Sequence, residues 1–179
     1  MSTIDQFREV IQNCQRVFVG KMEDYGLSWR ILRPSSLTDQ IFIKASRIRS
    51  LEEKKTSKIN EGVEPEYIGM INYSVMAITQ MKFPYNENPN LSKENVLDIY
   101  ITETNEALEL MLNKNHDYDE AWRKMRISSL TDIILQKLLR IKQIEDNDGT
   151  TKVSEGLEAN YYDIINYSIF ALIKLSEIK

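Results

Sequence analysis

The sequence predicts an all-α protein, a helical bundle built from two tandem three-helix repeats related by a pseudo-two-fold axis. Three observations carry that prediction. Positions 21–52 and 114–145, an offset of 93, agree at 16 of 32 residues, and 61–78 against 155–172, an offset of 94, agree at 9 of 18. Chance identity at average composition is roughly one in fifteen, so the chain is an internal duplication. Apolar residues recur at three- and four-residue spacing in each copy, and period-two alternation is nowhere sustained.

The first repeat covers residues 1–83, the second 94–179, and 84–93 is the linker, within the proline- and asparagine-rich "FPYNENPNL". The first helix places Ile4, Phe7, Val10, Ile11, Cys14, Val17 and Phe18 on one face. Ser2 caps it, and Ser92 caps its counterpart in the second repeat. A second helix is expected after "SSLTD", with Ser36 as N-cap and Asp39 closing a capping box; Asp132 does the same in the other copy. The third follows "VEPEYIG", where Pro65 suits the first turn because its missing N–H costs nothing there. Three short helices make a thin core alone, so the two triplets are expected to pack into one bundle.

Composition narrows the function classes. The net charge of −4 with both signs interspersed makes no electrostatic case for direct nucleic-acid binding. Cys14 is the only cysteine, which excludes a disulfide framework within one chain. No apolar run approaches the roughly 20 residues of a membrane span, and the N-terminus lacks a signal pattern. A soluble, cytoplasmic protein is the expectation, and a homo-oligomer is compatible with it.

On the second helix, Lys44 and Arg47 share a stripe with Ile41 and Ile48, as Lys137 and Arg140 do in the second copy. Two readings stand. The long basic stems lie on apolar surface and pair with Glu52, Glu64 or Asp24, locking helices in register. Alternatively, they grip phosphate, for which the guanidinium fork is matched. Trp29 and Trp122, each followed by arginine, with Tyr25 and Tyr118 nearby, then form a stacking wall for a base. Asn72 and Asn166 sit mid-helix among apolar neighbours, where a buried amide must find partners, either in other helices or in a polar ligand.

Carboxylates at i and i+3 on bundle helices are the usual way to hold Mg²⁺. The second copy offers Glu155, Glu158 and Asp163; the first has Glu61, Glu64 and an off-register Glu66, with Gly69 opposite Asp163. Any divalent ion is therefore expected mainly in the second copy. His116 faces Glu23 across the duplication, so a duplicated mechanism does not depend on it. No nucleophile–base pair, glycine-rich phosphate loop or zinc spacing is present.

The stretches "KMEDYGLSWRILRPSSLTDQIFIKASRIRSLEE" and "EGVEPEYIGMINYSVMA" resemble the nucleotide modification associated domain family 1, once in each copy. The resemblance implies an all-α nucleotide-binding protein associated with modified-nucleotide metabolism. It carries over Lys21, Asp24, Tyr25, Gly26, Trp29, Lys44, Arg47, Asn72 and Tyr73, and in the second copy Lys114, Asp117, Tyr118, Trp122, Lys137, Arg140, Asp163, Asn166 and Tyr167. Asp119 replaces the glycine of the first copy's "DYG", and Gly69 replaces the late acid. More distantly the layout is similar to the all-α nucleoside-triphosphate pyrophosphohydrolases (the MazG-like group), which implies a Mg²⁺-dependent nucleotide phosphohydrolase. The rival expectation is a non-enzymatic helical scaffold or regulator.

Overall fold

The computed structural model describes residues 1–54, 62–148 and 156–179, and among these every regular element is a helix. The first repeat contains α1 (Thr3–Tyr25), a 3₁₀ turn (Ser28–Ile31), α2 (Pro34–Lys54) and α3 (Glu64–Lys82). The second contains α4 (Lys93–Tyr118), a matching 3₁₀ turn (Ala121–Lys124), α5 (Ile127–Asp146) and α6 (Leu157–Ile178).

Local chemistry sets the helix starts. Ser2 Oγ accepts from the Asp5 N–H at 3.2 Å while the Ser2 N–H donates to the Asp5 carboxylate at 3.3 Å. Ser92 and Asn95 repeat this exchange at 3.0 and 3.1 Å, so both serine caps are present. Pro65 lies in the first turn of α3, as its lack of an N–H favours. The expected capping boxes of α2 and α5 are absent. Helix α2 begins at Pro34, which puts Ser36 inside its first turn, and α5 begins at Ile127 after Arg126, whose side chain makes no cap. Asp39 and Asp132 are spent elsewhere.

Within each repeat α2 packs on α3 and α5 on α6; between repeats α3 packs on α6 and α2 on α5. Helices α1 and α4 touch each other and lie across α3 and α6. The core runs continuously through both halves, from Phe7, Ile41 and Tyr67 to Tyr100, Leu130 and Tyr161.

The contacts between repeats are reciprocal. Thr38 Oγ1 lies 2.5 Å from the Tyr161 hydroxyl and 3.2 Å from Glu145 Oε2. Its equivalent, Thr131 Oγ1, lies 2.8 Å from the Tyr67 hydroxyl and 2.8 Å from Glu52 Oε1. Beside them Lys142 pairs with Asp39 at 3.0 Å, and the equivalent Arg49 with Asp132 at 3.6 Å. Each residue of one repeat therefore meets the counterpart of its own partner in the other, which is the signature of a two-fold relation.

One polar cluster breaks the symmetry. Lys82 pairs with the buried Glu103 at 2.9 Å, and both bond the Tyr162 hydroxyl. Burial and then the Glu103 carboxylate raise the Tyr162 phenol well above its ordinary range. The equivalent positions hold Ser176, Val10 and Ile68, which instead line a crevice between the repeats.

Candidate functional site

Each 3₁₀ turn is pinned to the end of the third helix of its repeat. In the first, Gln80 Nε2 on α3 donates to the Arg30 carbonyl at 2.6 Å, and the buried Arg30 guanidinium donates to Gln80 Oε1 and to the carbonyls of Phe83 and Asn88. In the second, Lys174 Nζ on α6 reaches the Arg123 carbonyl at 2.6 Å. The arginines after the two tryptophans thus hold the loops, and each turn delivers its tryptophan beside the end of α1 or α4.

Behind these turns lie cavities in equivalent places. In the first repeat a cavity of about 390 Å³ is walled by Lys21, Tyr25, Gly26, Trp29, Tyr73 and Met76, among others. A second, of about 320 Å³, shares Phe18, Lys21, Tyr73 and Met76 with it and extends to Lys44, Gly69 and Asn72. The second repeat has one cavity of about 360 Å³, lined by the counterparts Lys114, Tyr118, Trp122, Asp163, Asn166, Tyr167 and Phe170. Tyr25 and Tyr118 stand at the rims, 73% and 70% exposed.

The basic residues are partly paired. Arg47 Nη1 lies 2.9 Å from Glu66 Oε1 and Lys44 Nζ 3.5 Å from Glu66 Oε2. Their acid is thus Glu66, and not Glu52, Glu64 or Asp24. Lys44 also lies over the Tyr73 ring at 5.7 Å, and its stem passes so close to Gly69 that a Cβ there would meet it at 2.7 Å. In the second repeat the acid sits one turn further along: Asp163 takes Lys114 at 2.6 Å on one oxygen and Lys137 at 2.9 Å on the other. Arg140 stands 3.5 Å from Gln143 Oε1.

Asn72 is committed within the fold. It donates to the Cys14 carbonyl at 3.1 Å and accepts from the Tyr100 hydroxyl at 2.8 Å, tying α3 to α1 and α4. Asn166 donates equivalently to the Ala107 carbonyl at 3.1 Å, but its Oδ1 is buried without a partner among the described residues. Asp24 and Asp117 are exposed, and neither lines the cavities described above.

Only some of the carboxylates expected to hold a metal fall among the described residues. Glu61 and Glu155 lie outside the described residues, Glu158 is exposed, and Asp163 is held by two lysines. Among the described residues no group of three or more histidine, cysteine or acidic side chains stands close enough to hold an ion.

Two wall positions were missed from sequence. Phe18 and Met111 lie three residues before Lys21 and Lys114, and Met76 and Phe170 four after Asn72 and Asn166. Those spacings put them on the same helix faces as the residues already singled out, a signal available in the sequence.

A family model described as nucleotide modification associated domain 1 matches residues 21–81 and again 114–175. The chain belongs to this family. It carries two copies of the domain, and the matched segments contain both sets of cavity-lining residues except Phe18, Val17 and Met111. No curated protein and no solved structure matches the chain. None of the described helices is long and apolar enough to cross a membrane.

Proposed function

We propose that this chain binds a nucleotide of modified-nucleotide metabolism in the cavities behind its 3₁₀ turns. The observation that supports it is the coincidence of duplication and cavity: Lys21/Lys114, Tyr25/Tyr118, Trp29/Trp122 and Tyr73/Tyr167 are identical between repeats and line a cavity in each. Lysine supplies charge for phosphate, and the aromatic residues supply faces for a base. Cavities of this volume match the small-molecule range.

The Mg²⁺-dependent phosphohydrolase form of this reading needs a carboxylate set, and the described residues do not supply one. The proposal is therefore one of binding, with no hydrolytic step attached to it. The scaffold reading draws on a different observation, the pairing of Lys44 and Arg47 with Glu66 between α2 and α3.

Thermal-shift titration against a nucleotide panel, with and without Mg²⁺, tests the proposal. Ligand-specific stabilisation is expected, because binding to the native state raises stability by mass action. A Lys21→Ala/Lys114→Ala variant should still fold and melt cooperatively while losing the ligand effect. No shift with any nucleotide favours the scaffold.

A further inference from the structure

We propose that the chain takes one phosphate-bearing ligand, in the first repeat, and that α6 closes the second repeat to phosphate with its own Asp163 and Phe170. The inference rests on the nucleotide reading and assigns its two half-sites different roles.

Charge separates them first. Among the described residues the adjoining cavities of the first repeat are walled by Lys21 and Lys44 and by no carboxylate. No acid stands within ion-pair distance of Lys21 among the described residues, while Lys44 shares Glu66 with Arg47. In the second repeat the carboxylate belongs to the wall itself. Asp163 offers one oxygen to Lys114 and the other to Lys137, as two oxygens of a phosphate would. The equivalent residue, Gly69, leaves that space to the Lys44 stem and to the second of the two cavities.

The aromatic wall separates them again, independently. Phe170 stacks on Trp122 with centroids 4.2 Å apart and planes 4° apart, and the Arg123 guanidinium carbon lies 4.4 Å from the same ring. Trp122 is buried beneath the chain's own groups. In the first repeat Met76 replaces Phe170; the half-buried Trp29 meets the edge of Phe18 at 6.5 Å and 64°, and the Arg30 guanidinium carbon stands 5.9 Å from its ring, with no aromatic ring stacked on it among the described residues. Its ring remains available for stacking.

Asp163 and Phe170 are seven residues apart on one helix, which puts them on one face about 10.5 Å apart along the axis. Helix α6 thus presents an anion and an aromatic ring to the same cavity. The second cavity retains room for a neutral ligand, with the buried Trp122 Nε1 and Asn166 Oδ1 without partners among the described residues, but its lysines are paired with Asp163 and the face of its tryptophan ring is covered.

The test is calorimetric titration with the four common deoxynucleoside monophosphates, read together with tryptophan fluorescence. Trp29 and Trp122 are the only two tryptophans, so Trp122→Phe isolates the first cavity and Trp29→Phe the second. The parent should bind one equivalent, seen by Trp29 and not by Trp122. Gly69→Asp should weaken binding by about tenfold or more, the scale of a like charge set against phosphate. Asp163→Gly with Phe170→Met, which installs the first repeat's residues, should raise the stoichiometry to two. If that variant does not fold, Asp163→Asn keeps the shape, removes the charge, and is read in the same way. Two equivalents in the parent, binding reported by Trp122, or one equivalent in the opened variant overturns the inference while leaving the nucleotide reading intact. Failure of every nucleotide to bind overturns both.

Discussion

The Tyr100 hydroxyl donates to Asn72 Oδ1 at 2.8 Å, and the residue in its place in the first repeat is Phe7, which has no hydroxyl. The orphaned Asn166 Oδ1 follows directly. Phe7→Tyr should supply the missing donor and stabilise the fold by about 1 kcal/mol, the net worth of one hydrogen bond. Tyr100→Phe should cost about 1–3 kcal/mol, because it leaves a second buried acceptor unpaired. Urea denaturation of the two variants measures both. Destabilisation by Phe7→Tyr would show that the two environments are not equivalent.

The threonine bridges between repeats give a second expectation. Thr38→Val leaves the buried Tyr161 hydroxyl without its partner and should cost about 1–3 kcal/mol; Thr131→Val should do the same to Tyr67. The two clusters lie at opposite ends of the α2–α5 contact, about 20 Å apart along the helix. The double variant should therefore lose the sum of the single losses. A sum well short of additive would indicate that one bridge already fails when the other is removed.

Glu52 and Glu145 make stability depend on pH. Burial, the larger cause, raises both carboxyls above their ordinary value of 4.5, against the lowering effect of the threonine hydrogen bonds. A raised folded pKa contributes stability that is complete below the unfolded pKa and lost as pH rises through the folded value. The loss therefore falls above 4.5, where ionising either half-buried carboxyl costs stability. Glu52→Gln/Glu145→Gln should melt higher than the parent at neutral pH and flatten the melting curve against pH in that window. An unchanged pH profile would rule out these two carboxyls as its source.

Backbone strain marks the second repeat. Where α1 ends on Gly26 at φ +65°, α4 ends on Asp119 at φ 48°, ψ 50° and continues through Glu120 at φ 53°. Left-handed backbone costs a non-glycine residue roughly 1–2 kcal/mol, less for aspartate. Asp119→Gly should give a net gain of about 0.5 kcal/mol once the freer unfolded chain is subtracted. Thermal melting checks the sign.

The features legible in the sequence are those written locally. The duplication, the helical spacing and the Ser2 and Ser92 caps depend on residues within a few positions of one another. Two misreadings have the same origin. Ser36 and Asp39 have the spacing of a capping box, yet Pro34 starts the helix earlier and Asp39 is left for Lys142. The acid for Lys44 and Arg47 is set by how α3 crosses α2, which the one-dimensional pattern does not contain. Thr38, Tyr67 and Glu52 are visibly repeated, but that they bond across the halves is a property of the topology. The cavity residues Lys21, Tyr25 and Trp29 were readable because the two copies agree there; Met76 and Phe170 disagree, and that difference distinguishes the two sites.

The reciprocal threonine–tyrosine–glutamate contacts also bear on ancestry. The contacts have the reciprocity that two identical copies of one repeat would have if they paired about a two-fold axis. In a homodimer every substitution appears twice. Glycine on one side and aspartate on the other at the 69/163 position would then be unattainable. Two copies on one chain are free of that coupling, so each half can carry its own charge at that position.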